Sequence, residues 1–266
     1  MIKNYIKTAW RSIKQNPTFS AINIFGLATG LTCCLLISLY LYKEFSYDTQ
    51  HKLGDRLYQL ETESIIDGKE TRAAGTPAPM APAMQQEIPE VQSYTRLLSA
   101  FQDDKTLLQS GTGSNIKSFY ETKAFFADST FFRLFTYHFK EGNPSTALNE
   151  PNTVVISQSI AKKLFGNQSA INKIIHINST TNGNYDYKVT GVFIPSTVPS
   201  HIDAHFFMSM KGGDVGEWVQ GLTDMVNNNM FYSYLLLKPG TDPEKLQAKF
   251  ADFINRHAGA ELKASG

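Results

Sequence analysis

"FSAINIFGLATGLTCCLLISLYLY", residues 19–42, is an uncharged run of 24 residues in a chain of 266. At about 1.5 Å rise per residue, a helix of that length reaches roughly 36 Å, enough to cross a hydrocarbon core of about 30 Å with some tilt. A cleaved leader has an apolar stretch of about 7–15 residues followed by a small-x-small site. Here the run continues through Leu41-Tyr42 into Lys43-Glu44 without such a site. The pair Cys33-Cys34 is no lipidation signal either, since Thr32 and Cys33 are poor residues to precede a lipidated cysteine. The run therefore reads as a permanent membrane helix, residues 17–43.

The flanks orient it. Lys3, Lys7, Arg11 and Lys14 precede the span with no acid among them, leaving 21 basic against 24 acidic residues, a net of −3, for the remainder. The positive-inside rule keeps the N-terminus in the cytoplasm and carries residues from about 43 onward across the membrane. In a bacterium this is the inner membrane, with the bulk of the chain in the periplasm. Both cysteines lie inside the span, so the exterior part holds no disulfide and relies on its core, as suits a periplasmic domain.

Residues 1–16 form an amphipathic segment. Ile2, Ile6, Ala9, Trp10 and Ile13 recur at helical spacing beside the stripe of Lys3, Lys7, Arg11 and Lys14. Such a helix lies on membrane lipid at the cytoplasmic headgroups, with Trp10 as interfacial anchor; the plainer reading is a charged leader that sets topology. Asn16-Pro17 ends it, because proline disfavours helical geometry in the residue before it. Within the span, Gly26 and Gly30 form a GxxxG of the kind that lets two helix backbones approach.

The exterior residues alternate strands and helices, which indicates an α+β fold. Leu57–Ile66 reads as a strand ending at the turn signal Asp67-Gly68, a short helix runs through Met84–Glu87, and Val91–Ser99 is a second strand. Farther on, Asp203–Met210 reads as a strand, Val215–Leu222 as a helix and Phe231–Lys238 as a strand. Thr241-Asp242-Pro243-Glu244 then opens a helix with Leu246, Phe250, Phe253, Ile254 and His257 on one face. The middle differs. Thr153–Ile156 is a strand, Ser157 caps a helix that Gly166 ends, and Ile174–Asn178 pairs with Tyr185–Ile194 as a hairpin. In the second arm Tyr185, Tyr187, Val189 and Phe193 alternate onto one face, with Asp186, Lys188 and Thr190 on the other. Two lobes follow: residues 44–100 with 201–266, and 101–200 inserted between them.

Catalytic motifs are missing from this pattern. "GTGSNIKS", Gly111–Ser118, lacks the glycine that a phosphate loop needs before its lysine, and reads as a turn. His201, Asp203 and His205 of "SHIDAH" share a face on a strand and are candidate metal ligands; the plainer reading has them satisfying loop backbone. No fourth ligand can be named, and no metal or cofactor is assigned. The nine aromatics of Ser118–Phe139 suit a core covered on both sides better than a ligand shelf. The negative exterior argues against nucleic acid.

"NIFGLATGLTCCLLISLYLYKEFSYD", "ADSTFFRLFTYHFKEGNPSTALNEPNTVVISQSIAKKLFG" and "YKVTGVFIPSTVPSHIDAHFFMS" together resemble the permease subunits of MacB/FtsX-like ABC transporters, in the form found in Bacteroidetes-type bacteria. The resemblance covers nearly the whole chain, its blocks in the family's order. It implies a first span followed by a porter-like βαβ lobe with an inserted strand-rich lobe. It also implies a permease without catalysis of its own, driven by a separate ATP-binding subunit and working with a second permease copy. In some relatives a periplasmic adaptor and an outer-membrane channel take part. Lys3–Lys14 would then lie near the ATPase, with Gly26 and Gly30 against neighbouring spans. Relatives carry three further spans, so the chain is expected to be a truncated permease. The alternative is a membrane-anchored ligand-binding or adaptor domain that needs no ATP.

Overall fold

The computed structural model describes residues 2–66, 69–100 and 105–264. The chain divides into two compact units, Met1–Tyr47 and Asp48–Gly266.

The first unit is two helices, α1 (Ile2–Gln15) and α2 (Pro17–Phe45). Lys3, Lys7, Trp10, Arg11 and Lys14 are all exposed on α1, and Lys14 Nζ stands 5.9 Å over the Trp10 ring. Asn16 still donates its backbone N–H to Ser12, at 3.1 Å. Pro17 then occupies the first turn of α2, where a missing N–H leaves no hydrogen bond unmade. The helix runs past the expected end at Lys43 to Phe45, where the Ser46 hydroxyl donates to the Lys43 carbonyl at 2.7 Å. No side chain of α2 is buried, as an apolar helix facing lipid requires, and it is the one described helix long and apolar enough to cross a membrane.

The second unit begins with β1 (Leu57–Gln59), the hairpin β2 (Thr62–Ile66) and β3 (Lys69–Ala73), β4 (Gly75–Thr76), α3 (Met80–Glu87) and β5 (Val91–Ser99). Its middle holds β6 (Thr106–Ser110), β7 (Lys117–Glu121), β8 (Ala124–Ala127), α4 (Phe131–Leu134), β9 (His138–Gly142), β10 (Thr153–Ser157), α5 (Gln158–Phe165), β11 (Ile174–Ser179) and β12 (Gly183–Ile194). It ends with β13 (Phe206–Ser209), α6 (Gly213–Gly221), β14 (Phe231–Leu237), α7 (Pro243–Gln247) and α8 (Phe250–Ala264).

Twelve strands make one mixed sheet in the order β1-β14-β5-β8-β13-β10-β12-β11-β6-β7, with β4 also on β14 and β9 on β12. The pairs β10–β12 and β13–β8 are parallel, the others antiparallel. Every residue of β10 and β13 is buried, because both faces of the sheet centre are covered. On one face Val154, Ile156, Phe206 and Met208 pack with Ile160 and Leu164 of α5 and with Val215 and Val219 of α6. On the other, Val155 and Phe207 pack with Phe131, Phe132 and Phe135. A third cluster sets α3, α7 and α8 on β14 through Met84, Leu246, Phe253 and Leu235. The dense aromatics of 118–139 are thus largely core: the Phe131 and Phe135 rings stack at 4.9 Å, and Phe131 lies 4.8 Å from Phe207.

Three local expectations change. First, the run Leu57–Ile66 is two strands in two sheets. Leu60 is buried, and its N–H still donates to Ser233 at 2.9 Å; beyond Glu61 the chain leaves the main sheet as the β2–β3 hairpin. The expected Asp67-Gly68 turn lies outside the described residues. Second, the strand expected at Asp203–Met210 begins only at Phe206; ahead of it the His205 backbone still bridges Lys123 and Ser157, and the Asp203 side chain pairs with Lys123. Third, Phe193 faces the opposite side from Tyr187 and Val189. Against β10 the register skips from Val154↔Val189 to Val155↔Gly191, so Thr190 is an extra residue, its hydroxyl donating to Ala147 at 2.6 Å. This bulge reverses the alternation: Val189 and Val192 share one core and Phe193 joins the other.

Candidate functional site: the strap after the membrane helix

Residues 48–56 follow the membrane helix in sequence after Ser46 and Tyr47, and they are bonded into the sheet unit at three places. Asp48 takes a left-handed conformation (φ 58), which aspartate tolerates better than most residues. Its N–H donates to the Pro199 carbonyl at 3.0 Å. Its carboxylate accepts from Ser200 Oγ at 2.6 Å, from the His201 backbone N–H at 3.3 Å and from His201 Nδ1 at 2.7 Å. Burial alone raises the Asp48 carboxyl, but the hydrogen bonds from Ser200 and His201 and the charge of His201 outweigh it and hold it below its ordinary value.

The second anchor is His51, 8% exposed, edge-on to Phe135 with ring centres 4.9 Å apart. Its Nδ1 accepts the Thr136 N–H at 3.1 Å, so in the neutral ring the proton sits on Nε2. Nε2 lies 3.6 Å from Asp48 Oδ1 and 3.2 Å from Gln50 Nε2, while Gln50 Oε1 is buried without a partner. Turning the Gln50 amide over gives the Nε2 proton an acceptor in Oε1 and leaves the amide nitrogen at the buried position without a partner. Burial lowers the His51 imidazole below its ordinary value, against the pull of Asp48. Alongside, Lys52 N–H donates to Thr136 Oγ1 at 3.0 Å. The third anchor is Arg56, which donates to the Leu237 carbonyl at 2.9 Å and to Gln92 Oε1 at 3.1 Å.

From Asp48 the network runs inward. Because the carboxylate can only accept, His201 Nδ1 carries a proton, and Nε2 bonds the Tyr234 hydroxyl at 2.8 Å, accepting from it in the neutral ring and donating to it in the charged one. Carboxylate, imidazole and hydroxyl in that order also describe a nucleophile triad. Here the Tyr234 side chain is buried, edge-on to Phe135, and burial pushes its hydroxyl well above the ordinary tyrosine value. A hydroxyl so enclosed and so reluctant to ionise suits a fixed strut from Asp48 into β14 rather than attack on a substrate.

Beside the third anchor, where the Glu90 carbonyl accepts the Lys238 N–H, α8 is held in a comparable way. Arg256 donates to Glu87 Oε2 at 2.9 Å, His257 bonds the other oxygen of Glu87, and Lys249 pairs with Glu90. The hydrogen bond from Arg256, with that of His257, holds the Glu87 carboxyl below its ordinary value.

The candidate metal ligands are dispersed among different partners. His201 serves Asp48 and Tyr234, Asp203 pairs with Lys123, and His205 Nδ1 bonds Glu121 Oε1 at 2.8 Å beside Lys163 at 3.0 Å. Among the described residues no three His, Cys, Asp or Glu side chains gather as a metal-holding group. Gly26 and Gly30 lie on α2, where an added Cβ would meet nothing within 4 Å. The sequence reading missed Asp48, His51 and Tyr234. Asp48 and His51 stand three apart just after the span, but their partners lie 85 to 153 positions away, a separation that no local pattern carries.

The model of the MacB-like periplasmic core domain family matches residues 20–253. Among solved structures, a domain assigned to a permease protein of Porphyromonas gingivalis aligns with a TM-score of 0.61 and 23% identity, over 78% of this chain and 84% of that one. The periplasmic region of MacB from Actinobacillus actinomycetemcomitans aligns with a TM-score of 0.50 and 13% identity, over 79% of this chain and 85% of that one. At these identities the likeness is one of fold. No curated protein matches the chain. With most of its length matched, the chain belongs to the family of MacB-like periplasmic core domains and carries such a domain of a MacB/FtsX-like ABC transporter permease.

Proposed function

We propose that this chain relays motion: a separate ATP-binding subunit moves the membrane helix, and residues 48–56 deliver that motion to the periplasmic sheet. The observation that carries the reading is the triple anchoring of those residues at Pro199–His201, Thr136 and Leu237. A flexible tether would dissipate displacement; a segment bonded to three elements passes it on.

In this reading the chain sits in the bacterial inner membrane with α1 in the cytoplasm. Lys3, Lys7, Arg11 and Lys14 meet headgroups or the ATPase, and Gly26 and Gly30 pack against spans of other chains. Two permease copies act together, with an adaptor and an outer-membrane channel beyond them where the task is extrusion. The moving parts are a porter-like lobe of 44–100 with 201–266 and an inserted lobe of 101–200. One sheet runs through both, and β8 of the inserted stretch lies between β5 and β13. The test is affinity isolation of the full chain from its native membranes in mild detergent. The expected result is stoichiometric recovery of an ABC-type ATP-binding subunit. Isolation of the chain with no ATPase overturns the relay and favours an anchored ligand-binding or adaptor domain.

A further inference from the structure

The main sheet has two ends, and they differ. At one end β1 is three residues long and follows directly on a 3₁₀ turn. At the other, β7 has five residues, pairs with β6 in unbroken register and has no neighbour on its outer side among the described residues. Native sheets usually blunt an open edge by shortness, proline, a bulge or charged side chains. β7 has neither proline nor bulge, its two charges, Lys117 and Glu121, are of opposite sign at its two ends, and Ile116 beside it and Tyr120 within it are 52% and 65% exposed.

We propose that β7 pairs antiparallel with β7 of a second copy of this chain, about a two-fold axis at Phe119, so that the sheet continues from copy to copy. The sequence K-S-F-Y-E is complementary to itself in this register: Lys117 falls opposite Glu121, Ser118 opposite Tyr120, and Phe119 opposite its own counterpart. Lys117, Phe119 and Glu121 share one face of the strand, so both charge pairs form on the same side. The Glu121 side chain is 11% exposed and already holds His205, Lys163 and the Thr122 N–H, and an ionised carboxylate has one acceptor site left for a further cation. On the opposite face each Tyr120 lies diagonal to Ile116 and Tyr120 of the second copy, covering apolar surface that a single copy leaves in water. A slip of two residues sets Lys117 against Phe119 and loses both charge pairs, which fixes the register.

This inference rests on the two-copy assembly proposed above. Its test uses the full chain in membranes with Cys33→Ser and Cys34→Ser, two differently tagged forms being coexpressed, one with Ser118→Cys and one with Tyr120→Cys. Oxidation is expected to give a disulfide-linked heterodimer at least about tenfold above the yield when both forms carry Glu217→Cys on the exposed side of α6, since directly opposed Cβ atoms fall near disulfide range. Ile116→Lys added to both forms is expected to lower that yield. A chain that sediments as a dimer yet forms no such disulfide overturns the edge pairing and leaves the two-copy assembly standing; a monomer overturns both.

Discussion

The His51 ring shows how one side chain ties local chemistry to the stability of the domain. Burial lowers its proton affinity, so the unfolded chain binds the proton first as pH falls. Its contribution is complete above its ordinary value of 6.5 and is lost as pH drops through the lower folded value. Asp48, also held low, loses its contribution only farther down, below its ordinary 3.8. The melting temperature of the full chain is expected to fall between about pH 7 and 5. His51→Asn, whose Oδ1 can still accept the Thr136 N–H, is expected to have a flatter slope over that range. Equal slopes in the two proteins would refute the assignment. None of this was legible in the sequence, where His51 is a histidine in a polar stretch. Its environment comes from Thr136, Phe135 and Asp48, brought together by the fold. His201, Asp203 and His205 show the converse: their spacing was visible, but Asp48, Lys123 and Glu121 draw them to separate partners.

At the scale of elements, residues with strong local signals were legible. The break at Asn16-Pro17, strand Val91–Ser99, the helix ended by Gly166 and the hairpin of β11 and β12 could all be read from proline, glycine and apolar spacing. Period-two alternation failed at Thr190, because a bulge is set by what the neighbouring strand demands, and β10 lies 30 and more residues upstream. Inserting one alanine after Thr190 shifts every residue beyond the bulge by one and so moves Val192 and Phe193, both fully buried, to the wrong faces. The insertion is expected to cost more than about 4 kcal/mol in a chemical-denaturation measurement, in the range reserved for misplaced core residues. Thr190→Ser keeps the bulge and the bond to Ala147 and is expected to lose no more than about 1–2 kcal/mol. An insertion variant as stable as the parent would refute this account of the bulge. The β2–β3 hairpin went unread for a different reason: its exposed β3, Lys-Glu-Thr-Arg-Ala, carries no apolar alternation to announce a strand.

For the whole molecule, the class was written in gross features: one long apolar helix after a basic segment, then an exterior without cysteine whose strands and helices alternate. The arrangement of a single twelve-stranded sheet, with chain-distant β14 and β5 side by side, was beyond such reading because long-range pairing leaves no local trace. The central claim is that the strap after the membrane helix passes motion to this sheet. The most direct measurement is amide hydrogen exchange of residues 48–266 in the complex isolated with its ATP-binding subunit, nucleotide-free against ATP with vanadate. The wild-type chain is compared with one carrying a six-residue Gly-Ser insertion between Tyr47 and Asp48. The account predicts nucleotide-dependent exchange in the strap, β5 and β14 of the wild type, and its loss in the insertion variant while ATP hydrolysis persists. Exchange that responds equally in both chains, or in neither, would contradict it.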